Sequence, residues 1–165
     1  MPNLQRVITK KRETALHISA EANKEDFAKN LVKRMTSYDL QFENAAGNTA
    51  LTYAAATGNV NIAKAMLDKN KDLSNLEGGM KPLFMAASLV HSQMVDHLSL
   101  STRIQQWDKT EQIELFVTYA SVGLYGKRKL YVIFFFFFFS RFDFLILELI
   151  QNINHGVNIL NAMTS

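Results

Sequence analysis

The sequence predicts an all-α solenoid of stacked helix-turn-helix units joined by short hairpin loops. Two observations carry that prediction. The segments "ETALHISA" (Glu13 to Ala20), "NTALTYAA" (Asn48 to Ala55) and "MKPLFMAA" (Met80 to Ala87) align without gaps, and each is followed by a short polar break and a second apolar stretch. Ala15 to Ala50 is 35 residues and Ala50 to Pro82 is 32. That brackets a period of about 33, the scale on which one supersecondary unit repeats and buries its apolar face against the next.

The chain divides accordingly into a basic N-terminal tail at 1–12, about three repeats over 13–103, a degenerate repeat helix at 104–125, a Phe-rich insert at 126–142 and a C-terminal helical tail at 143–165. In the first unit Asn23 sits at the break, where its short polar side chain tolerates a left-handed conformation. Phe27, Leu31, Val32 and Met35 then form the apolar stripe of the second helix. In the second unit Gly58 ends the first helix at no steric cost, and Val60, Ile62, Ala63, Met66 and Leu67 share one helical face. In the third unit the break carries Val90, a β-branched residue poorly suited to positive φ, which predicts a distorted unit. The Gly- and Asn-rich segments "FENAAGN" (Phe42 to Asn48) and "LEGGMKP" (Leu76 to Pro82) supply the hairpin loops. Asp108 with Glu111 reads as a capping box ahead of Ile113, Leu115, Phe116, Val117 and Tyr119.

These residues resemble ankyrin repeats, whose signature is Thr-Pro-Leu-His-x-Ala-Ala followed by Gly and a second helix. The resemblance implies that Thr14 caps its helix and hydrogen-bonds His17, and that the small Ala pairs let the helices of adjacent units approach. Thr49 keeps the cap while Thr52 replaces the His. In the third unit Lys81 and Phe84 replace both, and Pro82 takes the first helical turn, where its missing N–H does no harm. More narrowly, "GNTALTYAAATGNVNIAKAMLDKNKDL", "PLFMAASLVHSQMVDHL" and "WDKTEQIELFVTYASVGLY" look like the plant ankyrin family that usually carries a C-terminal membrane domain of the PGG type and includes cell-death and salt-tolerance regulators. The likeness covers roughly 13–125, and it stops at Tyr125, ahead of where that domain is expected.

Three readings compete for the stretch that follows. From Leu130 to Ile150 is 21 residues, long enough to span a bilayer, but Arg141, Asp143 and Glu148 interrupt it. A central Arg or Asp costs about 2.5 to 3.5 kcal/mol, against roughly −0.3 to −0.6 for each apolar residue, so the sum is near zero. Lys127, Arg128 and Lys129 would then be a cytoplasmic flank. A packed tail helix fits less well, because ten apolar residues in succession leave no polar face. The favoured alternative is a translated intron: Gly126-Lys127 can be encoded by GGTAAG, a splice-donor sequence, and Phe134 to Phe139 would be a pyrimidine tract.

The formal charge of +3 is unevenly placed. Arg6, Lys10, Lys11 and Arg12 precede any acid, whereas 13–125 holds ten Lys and Arg against thirteen Asp and Glu. A mildly acidic body with a basic end is not the stripe that neutralises a phosphate backbone, which argues against nucleic acid. There is no cysteine, so disulfides and thiol chemistry are excluded and a reducing compartment is suited. The N-terminus lacks the apolar core of a secretory signal. His17 is accounted for by the cap. His91 and His97 are six apart rather than four, which favours solvated or helix-end positions over metal ligation. No nucleotide-cradling or nucleophile-elbow pattern is present, and Glu25-Asp26 reads as a solvated face. The expectation is a non-catalytic module with no cofactor, metal or small-molecule substrate.

What the ankyrin likeness implies instead is a protein partner, held on the hairpin tips and the exposed face of the first helices, a concave surface made by the stacking itself. The matching positions are Asn44, Ala45 and Ala46 at one tip and Glu77, Gly78 and Gly79 at the next. On the inner helices they are Thr52, Tyr53, Phe84 and Met85. Tyr53, Phe84 and Met85 are the strongest candidates, because aromatic side chains dominate interface energetics; the alternative is that they are inter-repeat core. The expected location is cytoplasmic, with the cytosolic face of a membrane such as the plasma membrane as the alternative if the Phe-rich segment is an anchor.

Overall fold

A computed structural model describes residues 5–123. The Phe-rich stretch and the C-terminal tail, and with them the choice between intron, anchor and tail helix, lie outside the described residues. Three helix pairs follow one another: α1 (Ala15–Glu21) with α2 (Glu25–Arg34), α3 (Ala50–Thr57) with α4 (Val60–Lys69), and α5 (Pro82–Ser88) with α6 (Ser92–Ser99). A single longer helix, α7 (Lys109–Ser121), follows. Short 3-10 turns at Asp39–Gln41, Lys71–Asn75 and Ile104–Gln106 lead out of each pair. The first helices form one layer, α1 on α3, α3 on α5 and α5 on α7; α2, α4 and α6 form the second.

The layers are this close because small residues stand at the same place in every unit. Ser19 and Ala20, Ala54 and Ala55, and Ala86 and Ala87 are all buried, and the leucine one residue into each first helix (Leu16, Leu51, Leu83) is at most 2% exposed. At a helix spacing of about 8–10 Å a larger side chain at the small positions would force the layers apart. Leu40, Leu73 and Ile104, one from each 3-10 turn, close the core from the far side.

Each first helix ends the same way. Asn23, Gly58 and Val90 occupy equivalent positions at φ 53, 71 and 60, and the N–H pairs that follow from this (Asn23 to Ala20 O with Lys24 to Ser19 O, and their counterparts in the other units) satisfy the last carbonyls of the helix. The third unit is therefore not distorted as Val90 predicted. It keeps the repeat geometry and holds a β-branched residue in the left-handed region, where an L side chain costs roughly 1–2 kcal/mol.

Two further expectations change. Phe27 does not join the stripe of α2; it is 56% exposed, while its counterparts Ile62 and Met94 are fully buried. Those two are sandwiched by the preceding unit, whereas no described element covers α2 on that side. Residues 7–14 are not a tail but a hairpin. Val7 bridges Thr14, and Ile8 N–H donates to Glu13 O at 2.7 Å. At the other end α7 starts as expected: Asp108 Oδ1 accepts from Glu111 N–H at 2.8 Å and Glu111 returns the bond to the Asp108 N–H. Of its apolar run, Leu115 and Tyr119 are buried, whereas Ile113 and Val117 face outward.

Val90→Gly should stabilise the protein by about 1 kcal/mol, since it removes side-chain strain at one positive-φ position. Urea denaturation reads this as a raised midpoint at unchanged slope; an unchanged or lowered midpoint would mean that the third break is not left-handed.

Candidate protein-binding surface

The hairpin tips are built one on another. The residue two places before each cap has positive φ: Arg12 at 61, Gly47 at 75 and Gly79 at 52. Ala45 N–H donates to Lys11 O at 2.8 Å, tying the first tip to the second. A Cβ on Gly47 would lie 2.6 Å from Gly79 N, and one on Gly79 would lie 2.3 Å from Gly47 O. The second and third tips thus meet backbone to backbone. Met80 N–H closes the contact by donating to Asn48 Oδ1 at 2.7 Å.

Beneath the tips runs a polar seam. Asn44 Oδ1 accepts from the Ala46 and Asn48 N–H groups at 2.9 and 3.0 Å, and its Nδ2 donates to the Tyr53 hydroxyl at 2.9 Å. Tyr53 in turn donates to Glu13 Oε1 at 2.7 Å, and Thr9 donates to Glu13 Oε2 at 2.8 Å. These two hydroxyls hold the buried Glu13 carboxyl below its ordinary range, while burial and the neighbouring carboxylate push the Tyr53 hydroxyl up to about 12. Tyr53 is thereby fixed, with its ring edge-on to His17 at 5.7 Å between centroids.

His17 links one repeat to the next. Its Nε2 lies 3.1 Å from Asn48 O, an oxygen that can only accept, so Nε2 carries the proton. Nδ1 is then the acceptor for the Thr14 hydroxyl at 2.8 Å and the Thr14 N–H at 3.3 Å. Thr52, at the equivalent position of the second unit, repeats the outward half of this arrangement and donates to Met80 O at 3.2 Å. Both acceptors directly precede the next unit's capping position. Thr49 occupies the capping position of α3, but its side chain makes no capping hydrogen bond. His91, at the start of α6, donates from Nε2 to Ala56 O at 2.8 Å and packs against Gly58. His97 stands in the last turn of α6, a helix-end position as expected, and its Nε2 is buried with no hydrogen-bond partner among the described residues.

A family model described as ankyrin repeats, three copies, matches residues 16–109, more than half of the chain. The chain belongs to the ankyrin-repeat family. No curated protein matches it. Ankyrin repeats generally mediate protein–protein interaction and are typically non-catalytic. Among the described residues no group of three or more His, Asp and Glu side chains is placed to hold a metal, and no helix is long and apolar enough to cross a membrane.

Within this ankyrin stack the expected contact residues separate into two sets. Asn44 and Thr52 are 6% and 3% exposed; both are committed to internal hydrogen bonds and hold the surface rather than present it. Ala45, Ala46, Glu77, Gly78 and Gly79 are exposed at the tips, and Tyr53, Phe84 and Met85 are half-buried along the first helices. The first tip was missed from sequence. Lys10 and Lys11 are exposed at the positions equivalent to Ala45–Ala46 and Glu77–Gly78. An alignment extended upstream of Glu13 pairs "TKKRET" with "NAAGNT"; the Arg standing where the other tips have Gly hid the match. A groove of about 620 Å³ between α2 and α4 is a weaker candidate. Of its lysines, Lys69 is bound to the Val32 and Lys33 carbonyls and Lys29 to Glu25.

Burial lowers His17 below its ordinary value of 6.5, only partly offset by Asn48 O and Glu13. The unfolded chain therefore takes up this proton first as pH falls, so the contribution to stability is complete above pH 6.5 and is lost toward the lower folded-state value. The carboxyls of Glu13, Glu25 and Asp39 are also lowered, from 4.5, 4.5 and 3.8, and act in a more acidic window. His17→Thr, which copies Thr52, should flatten the dependence of unfolding free energy on pH between about 7.5 and 5.5. An unchanged slope in denaturant titrations would remove His17 as its source.

Proposed function

We propose that the chain is a non-catalytic scaffold that holds a protein partner against the row of hairpin tips and the adjoining face of the first helices, the concave side of the stack. One observation carries the proposal: the exposed tips are locked to each other through backbone contacts and share an edge with the half-buried Tyr53, Phe84 and Met85. A surface ordered in advance loses little entropy on binding, and partly exposed aromatic and thioether side chains are what interface centres use. The likeness of 13–125 to plant membrane ankyrin proteins extends the proposal to a cytosol-facing module in stress or defence signalling, either free or tethered through the Phe-rich segment.

Affinity capture with the full chain, compared across variants by quantitative mass spectrometry, tests the surface. Ala46→Arg and Met85→Ala should each reduce recovery of the specific partners about tenfold. Lys33→Glu with Asp68→Lys, on the opposite helix layer, should leave recovery unchanged, with circular dichroism confirming that all variants fold. Loss of partners in the second-layer variant alone would place the surface elsewhere.

A further inference from the structure

The three tips differ in charge in a graded way. Lys10 and Lys11 lead the first, with Arg12 beside them over the Phe42 ring at 5.9 Å. Among the described residues none of the three cations has a carboxylate within ion-pairing distance. The second tip presents only Ala45 and Ala46. The third presents Glu77, and the Glu43 carboxylate reaches across to it, 3.3 Å from where a Cβ on Gly78 would stand. One exposed row thus runs from positive through neutral to negative.

We propose that this row selects an extended protein segment of complementary pattern, acidic where it meets the first tip and basic where it meets the third. The inference rests on the partner surface proposed above. Two repeat steps at the usual helix spacing amount to roughly 16 to 20 Å, which an extended strand covers in about five or six residues. That separation is about twice the Debye length of about 8 Å at physiological ionic strength, so the two ends act as separate recognition points. Between them the two alanines leave room for the strand's backbone and small or apolar side chains. A uniformly anionic polymer, whether nucleic acid or an acidic lipid surface, would gain at Lys10 and Lys11 and be repelled at Glu43 and Glu77. A segment with separated charges is attracted at both ends.

Selection of a random twelve-residue peptide library on the full chain tests this, with enriched peptides measured by fluorescence anisotropy. The expected winners carry Asp or Glu at one end and Lys or Arg about five or six residues away. Lys10→Gln with Lys11→Gln should weaken them by about threefold to tenfold, the combined effect of losing two exposed pairs. Glu43→Gln with Glu77→Gln should weaken them similarly while improving an all-acidic control peptide. Enriched peptides that depend on Ala46 and Met85 but show no charge separation would overturn the inference and leave the partner surface standing. Peptides indifferent to all of these positions, or no enrichment, would overturn both. Tighter Lys10- and Lys11-dependent binding of polyuridylate RNA or phosphatidylserine vesicles than of any peptide would reassign the first tip to phosphate recognition.

Discussion

Each of the first two inner helices commits a buried donor, from His17 and from Thr52, to the carbonyl just ahead of the next repeat's capping position. Helices of seven to ten residues, the lengths of the paired helices here, are not stable alone in water. Each unit must therefore be completed by its neighbour. Apolar burial supplies most of the attraction, but it is non-directional. The two donors fix the register in which one unit meets the next, because a slip by one turn would leave a buried imidazole or hydroxyl without its acceptor. The small residues at the helix contacts and the facing glycines of the second and third tips permit the approach that these bonds require.

Structure and surface are coupled through the same residues. The carbonyl that accepts the His17 hydrogen bond belongs to Asn48, whose side chain accepts from the N–H of Met80. Asn44 folds its tip and holds Tyr53, which rests on Glu13 of the preceding unit. The tips are therefore part of the stacking and not loops laid over it. Their rigidity is what makes a fixed spatial pattern of charge meaningful: cations on a flexible tail would have no defined distance to Glu43 and Glu77.

Much of this was legible in the residues. The period, the paired helices, the Asp108–Glu111 capping box and the left-handed breaks at Asn23 and Gly58 follow from local pattern and local sterics. What escaped depends on neighbours that pattern does not encode. Phe27 fits a buried stripe by spacing, yet it is exposed because nothing described stacks on its side. Val90 argues for distortion, yet the contacts of the third unit overrule its local preference. Thr52 and Asn44 have the spacing of contact residues, and only the fold shows that they face inward. Lys10 to Arg12 read as a tail because charge and a missing glycine outweighed an offset that the other two tips share.

Repeats tied this closely fold as one unit. The chain offers two local reporters for this: His17 in the first repeat, and the sole tryptophan, Trp107, buried beyond the third. Equilibrium urea unfolding followed at once by the His17 imidazole proton signals and by Trp107 fluorescence is the most direct measurement. A single shared midpoint and slope is the predicted result. Separate transitions, with either end melting while the other stays folded, would contradict it.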